Sequence, residues 1–401
     1  MKPRLLYLTS EWPWPPTHGG LLQTKHLADG FGEWFDVTVL AADRVAPERP
    51  AWSAAAQRIA ERRRSQVTRA VDTVGGVATG RQVLLQRILR AGGKSAASAV
   101  MAELQPSVVV LGRPLFDGIL DAASKAGAKI VIEANEDLER VSWSIARHAV
   151  SPRARIMALV DGMVVRRQQR RNYVRADVVL VCSELERTIL SAYVDRARIH
   201  VMPNTVAVPA GDPTDPPPAR AIGFVGSYRY APNEAAAIEL MREVMPAVRA
   251  AGGPQQLVLI GRSPTRRMYQ LAAADPDVTV TGEVPQVDLP LVEAGLLLAP
   301  LRSGAGTRVK ILEAAAAGIP VISTGMGVEG LPLHPGRDVL VAETAAQFAD
   351  AVLRLQRDPA LRKALVTSAR DAVREHNSPT AARKALVGIM SALGAYHGEE
   401  T

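Results

Sequence analysis

Short apolar runs alternate with longer amphipathic stretches along the chain. A first series reads as strands at Leu5–Thr9, Val37–Ala41, Val108–Leu111, Lys129–Ile132, Val178–Val181 and His200–Met202. A second follows at Ile222–Val225, Leu257–Ile260, Val278–Thr281, Leu296–Ala299, Pro320–Ile322 and Val339–Val341. These runs are rich in Val, Leu and Ile and do not alternate with polar residues, the pattern of parallel strands buried on both faces. Helical patterns separate most of them, so βαβ units and an α/β fold are expected. The stretch Ala54–Lys94 carries no strong strand signal.

Between the two series, Pro209 to Pro213 and Pro216-Pro217-Pro218 cannot sustain a helix or an interior strand. The expected layout is an N-terminal Rossmann-like domain at 1–205, a Pro-rich linker at 206–219 and a C-terminal Rossmann-like domain at 220–377. A helix at 378–401 is expected to cross back to the N-terminal domain. The 401 residues suit two domains better than one. Open parallel sheets bind ligands beyond the carboxyl ends of their strands. Two such domains facing across a deep cleft would suit a two-substrate reaction.

Composition narrows this picture. Aromatics are only 4% of residues, so the cores must be built from Ala, Val, Leu and Ile. The single cysteine, Cys182, closes the run Val178–Val181 and reads as a core residue. It excludes a disulfide framework and a cysteine-rich metal site, and points to a reducing compartment. The apolar stretch Leu5–Leu8 is too short for a signal-peptide core, and no run approaches the roughly 20 apolar residues of a membrane span. A cytoplasmic protein is the expectation.

The net charge of +8 is unevenly placed. Residues 1–200 carry 29 Lys and Arg against 20 Asp and Glu, and residues 201–401 carry 19 against 20. Arg62, Arg63, Arg64, Arg81, Arg87, Arg90 and Lys94, with Arg166, Arg167, Arg170 and Arg171, supply much of the excess. Two readings fit: solvated helix faces, or a surface that meets an anionic membrane or a phosphate-bearing acceptor. The second would place the protein peripherally at the inner face of the plasma membrane. No aromatic platform is interleaved with these charges, so nucleic acid is not expected as a partner.

The most informative stretch runs from Leu298 to Glu313. A strand ends at Ala299-Pro300, a short loop carries Gly304 and Gly306, and a helix is expected from Thr307 to Ala317, closed by Gly318. Glycines let backbone approach a ligand, and the N–H groups of Thr307, Arg308 and Val309 would open the helix where an anion binds well. Arg302, Arg308 and Lys310 add positive charge. Together they make a candidate diphosphate cradle. Glu313 lies roughly 9 Å along that helix, at ~1.5 Å per residue. It could grip ribose hydroxyls, or simply pair with Lys310 three residues back.

The same segment resembles the donor-binding signature of the family 4 (group 1) retaining glycosyltransferases of the GT-B fold. The family's Glu-Ala-x-Ala-x-Gly-x-Pro-Val reads here Glu313-Ala-Ala-Ala-Ala-Gly318-Ile-Pro320-Val321. Val201-Met-Pro-Asn204 resembles its domain junction, and Gly223-Phe-Val-Gly226-Ser227 its first C-terminal strand and turn. Val278 to Val284, with Gly282, resembles the strand whose turn contacts the base. Pro13 to Gly20, with Gly19 and Gly20, resembles its N-terminal glycine loop. Two departures stand out. Ala305 replaces the first of two family glutamates, and Ser227 with Pro232-Asn233 stands where an Arg…Lys pair is frequent.

The resemblance implies a metal-independent hexosyl transfer from a nucleotide-diphosphate sugar, with retention of configuration and no cofactor. The acceptor would be a saccharide, a lipid-linked saccharide or a small molecule, in surface polysaccharide or glycolipid assembly. Two alternatives stay open: tailoring of a soluble natural product, and nucleotide-sugar binding without transfer. Arg308 and Lys310 are the candidates for stabilising the leaving diphosphate. His18, beside Gly19-Gly20, could touch the sugar or acceptor. Arg229 could reach phosphate. Glu133 and Asn135, just past the strand Lys129–Ile132, are acceptor-side or sugar-side candidates. Asp275-Pro276-Asp277 has the spacing of a metal-holding pair, but it precedes its strand and reads as a loop. Glu184 and Glu186 read as first-turn acids of a helix.

Overall fold

The buried, non-alternating runs do become parallel strands. A computed structural model describes residues 2–9, 12–14, 19–41, 55–58, 93–112, 117–134, 137–148, 152–211, 219–284, 288–304 and 306–395. The chain divides into two units, one of residues 1–204 with 382–401 and one of residues 205–381.

The first unit is built on a seven-stranded parallel sheet. Its strands are β1 (Arg4–Thr9), β2 (Asp36–Ala41), β3 (Ala55–Arg58), β4 (Val108–Leu111), β5 (Lys129–Ala134), β6 (Val178–Val181) and β7 (Ile199–Val201). They lie in the order β3-β2-β1-β4-β5-β6-β7. β3 falls in the stretch without a strand signal. Its sequence, Ala-Ala-Gln-Arg, has no apolar run because it pairs with β2 alone at the sheet edge. The other strands bury both faces: Leu6, Leu8, Val109 and Ile132 on one side, Leu5, Tyr7, Val110 and Val131 on the other. The C-terminal helix Pro379–Ala392 adds Ala382, Leu386, Ile389 and Met390 to the second of these cores. Cys182 is buried beyond β6 and its Sγ lies 3.1 Å from Gln23 Oε1.

The second unit has a six-stranded parallel sheet: β8 (Ala221–Val225), β9 (Gln256–Ile260), β10 (Val278–Gly282), β11 (Leu297–Ala299), β12 (Val321–Ser323) and β13 (Leu340–Val341). The order is β10-β9-β8-β11-β12-β13. Residues 206–211 of the expected linker are not loose. Val206 is buried in this unit's core, its N–H donates to Asn377 O at 2.9 Å, and Arg370 donates to Pro209 O. Residues 212–218 lie outside the described residues. Asp275 accepts from Arg249 Nη1 at 2.6 Å and from Asp277 N at 3.1 Å, before β10, so it serves as a loop brace.

Ile389 is fully buried, so Ile389→Ala should cost about 2–5 kcal/mol. Trp12, Trp14, Trp34, Trp52 and Trp143 all belong to the first unit. Urea unfolding followed by tryptophan fluorescence should therefore shift to lower denaturant; an unchanged curve would show that this helix does not support that unit.

Candidate nucleotide-sugar site

In the second sheet, β8 and β11 are neighbours whose onward connections run to opposite sides. This is the topological switch point, where loops diverge and leave a crevice at the strand ends. The loop after β8 holds Gly226 to Tyr230; the loop after β11 holds Pro300 to Arg308.

Lys310 joins the helices that follow the two loops. Its Nζ donates to Asn233 Oδ1 at 2.6 Å and lies 4.4 Å from the centroid of the buried Phe224 ring. Asn233 Nδ2 donates to Ser227 O at 3.0 Å, so one amide ties the turn after β8 to the helix after β11. The residue as a whole is half-buried, and its ammonium is the desolvated end. Burial lowers its pKa to about 7; Glu313 acts against that shift and Arg308 with it.

The glycines fit this packing. A Cβ on Gly226 would lie 2.9 Å from Asn233 Cγ, and one on Gly304 (φ +108°) 2.9 Å from Tyr230 Oη. The Gly304 loop therefore sits directly against the loop after β8. Gly282 and Gly306 both have positive φ. Gly282 O accepts from Gly261 N at 3.1 Å, carrying the network to the end of β10.

Several expectations change. The helix runs Val309–Ala316, two residues later than its expected start, because the Val309 and Ile311 N–H groups donate to Thr307 O and Arg308 O. Thr307 and Arg308 precede the helix, and one of the three N–H groups expected for the cradle is engaged within the chain. Glu313 is then roughly 6 Å along the axis from Val309. It is exposed, on the helix that carries Lys310. Arg308 folds back, donating from Nη1 to Gly306 O at 2.6 Å and from Nη2 to Gly304 O at 3.1 Å, so it staples the glycine loop. Arg302 is bound to carboxylates: Glu239 Oε1 at 2.8 Å and Glu343 Oε2 at 2.7 Å. Glu239, with Glu343, raises its pKa. Glu343 Oε1 also accepts from Gly325 N at 2.8 Å, so Arg302 braces the ends of β11, β12 and β13. Arg229 is exposed in the turn after β8.

In the first unit, Glu133 belongs to β5 instead of lying past it, and is 1% exposed. It accepts from Tyr7 Oη and from Thr24 Oγ1, the latter at 3.0 Å. A sealed carboxyl of this kind braces the sheet end and does not face a sugar. Glu186 is also buried and accepts from Cys182 N at 2.9 Å; Glu184 is an exposed first-turn acid, as expected. Gly19 and Gly20 open the helix Gly19–Phe31, and Gly20 O receives Thr24 Oγ1 at 3.2 Å. His18, Asn135 and Ala305 lie outside the described residues, as do Arg62–Arg64, Arg81, Arg87 and Arg90. Asn233 and Tyr230 were not among the expected site residues. The only hint was Pro232-Asn233 standing where the family's basic pair is frequent.

Residues 219–358 match the family model described as "Glycosyl transferases group 1". The match covers 140 of the 401 residues and lies within the second unit. Both loops of the site fall inside it. The whole chain has the GT-B fold. It is similar to HepE from Anabaena in complex with UDP and glucose (12% identity, 97% of this chain and 99% of that one, TM-score 0.65). It is also similar to sucrose-phosphate synthase from Thermosynechococcus elongatus (17% identity, 98% and 99%, TM-score 0.69). Against S. aureus TarM the identity is 13% and the TM-score 0.58, over 75% of this chain, which spans 58% of that one. No curated protein matches the chain.

The second unit depends on close backbone approach at Gly261, whose φ is +131° and whose Cβ would meet Gly226 O. Gly261→Ala should lose about 2–4 kcal/mol through strain and displaced backbone. A thermal or chemical unfolding curve that matches the parent would refute this packing.

Proposed function

We propose that this protein is a retaining, metal-independent glycosyltransferase of the hexosyl type, acting in surface polysaccharide or glycolipid assembly. A nucleotide-diphosphate sugar is the donor. The acceptor is a hydroxyl of a saccharide or lipid-linked saccharide, reached from the cytoplasmic side of an anionic membrane. The reading is carried by one observation: the Lys310–Asn233 bridge sets a desolvated ammonium at the switch point of a group 1 glycosyltransferase domain. HepE, solved with UDP and glucose, and TarM, solved with UDP and alpha-GlcNAc-glycerol, support the choice of a nucleotide donor.

The chemistry follows from charge. When the bond from the sugar's anomeric carbon to the phosphate oxygen breaks, the electron pair leaves with the diphosphate. The acceptor oxygen bonds to the anomeric carbon, and its proton passes to an oxygen of the departing diphosphate. A fixed cation in a low-dielectric pocket stabilises the departing charge more than it would in water. Lys310 is that cation. Arg308 keeps the Gly304–Gly306 backbone in place beside it, and Glu313 is the group assigned to the ribose hydroxyls.

UDP-, GDP- and ADP-sugars screened by thermal shift should yield one donor that raises the melting temperature, since a ligand bound only by the folded state stabilises it. Glu313→Ala should remove most of that shift. A full shift in this variant would overturn the ribose assignment, and no shift from any donor would overturn the function.

Diphosphate binding favours the charged ammonium, whose pKa burial lowers to about 7. Above that pH, binding must take up a proton, so affinity should fall as pH rises, by up to about tenfold per unit. Calorimetric titration of the nucleoside diphosphate from pH 7 to 9 should show this slope in the parent and not in Lys310→Met. Equal slopes in both would remove Lys310 from the phosphate site.

A further inference from the structure

The helix Pro152–Tyr173 packs chiefly against the preceding helix Leu138–His148. Its 22 residues hold six arginines and one acid, and its outward face mixes arginines with large apolar side chains. Ile156 is 61% exposed, Met163 58% and Val174, just past its end, 47%. These positions and Arg167 and Arg170 recur at helical spacing, i, i+7, i+11, i+14 and i+18, and so share one face. The opposite side is buried through Ala158, Val165, Gln168, Gln169 and Asn172. Asp161 lies roughly opposite the outward face, half-buried. Trp143, on the preceding helix Leu138–His148, packs against Gly162 with 38% of its surface exposed. Of the ten exposed large apolar side chains among the described residues, five lie within residues 143–174, so the exposure is concentrated rather than scattered.

We propose that this face of the helix Pro152–Tyr173 docks on an anionic lipid surface, lying in the plane of the interface. A helix of this length spans roughly 33 Å, apolar side chains interleaved with arginines fit the boundary between headgroups and acyl chains, and no acid on that face opposes a negative surface. Arg166 and Arg170 are partly engaged, with Glu139 at 3.7 Å and over the Tyr193 ring at 5.3 Å. Arg167 and Arg170 still present exposed stems and charge beside Met163. The proposal rests on the reading of a membrane-side acceptor and names the surface that would deliver the enzyme to it.

The test is flotation of the full chain with phosphatidylglycerol-containing vesicles and with pure phosphatidylcholine vesicles. The parent should float with the anionic vesicles, less with neutral ones, and less as salt is raised. Arg167→Ala/Arg170→Ala should lower partitioning roughly tenfold or more, and Ile156→Asp/Met163→Asp should abolish it. Both pairs are exposed, so folding should be retained, and the donor-induced thermal shift should equal that of the parent. A parent that does not float, or variants that float equally, would overturn the docking face. So would a concentration-dependent dimer in light scattering that Ile156→Asp disperses, since the face would then belong to a second copy of the chain. Flotation without any donor shift would leave the docking face standing and sink the transferase reading instead, so the two failures are distinguishable.

Discussion

The candidate site depends on a desolvated ammonium held by a neutral amide oxygen and a ring face, with the Glu313 carboxylate acting on it through charge. Lys310 reaches across the switch point to Asn233 and lies over Phe224, where water is scarce. A desolvated cation is costly unless an anion compensates it. Burial therefore favours loss of the proton, and a bound anion would favour its return. Folding and ligand charge are coupled through one side chain. The close glycines follow from the same constraint, because Gly226 leaves room for Asn233 and Gly304 for Tyr230.

The arginines around this lysine play a different part. A planar guanidinium with five donors is well suited to several carbonyl or carboxylate oxygens at once. Arg308 spans the Gly304 and Gly306 carbonyls, and Arg302 spans Glu239 and Glu343. Both fix the backbone on which the crevice is built. Counted as charge alone, all three basic residues look alike. Their partners separate two braces from one titratable cation.

Much of the fold was legible in the sequence because its cause is local. Strands covered on both faces need unbroken apolar runs, and all twelve of those runs overlap strands. β3 escaped because an edge strand of Ala-Ala-Gln-Arg carries no such run. The Gly304–Glu313 segment was legible for the same kind of reason: a strand end, two glycines and a helix are written consecutively. Glu133 was misplaced because strand length past Ile132 is set by pairing with β6, which the chain's own pattern does not display. Once inside the strand, its carboxyl met Tyr7 and Thr24 from β1 and the first helix, more than a hundred residues away.

The sequence by itself determined two parallel α/β sheets and a basic N-terminal half. Those are consequences of hydrophobic period and charge count, both of which are written along the chain. Only the tertiary structure decided which polar groups meet. Asn233 and Lys310 are seventy-seven residues apart and become neighbours because β8 and β11 are adjacent in the sheet. It also turned Arg302 away to carboxylates and left the helix face of Ile156, Met163 and Val174 exposed. Hydrogen bonds and desolvation act over a few ångströms of space, and strand order, not chain order, sets those distances.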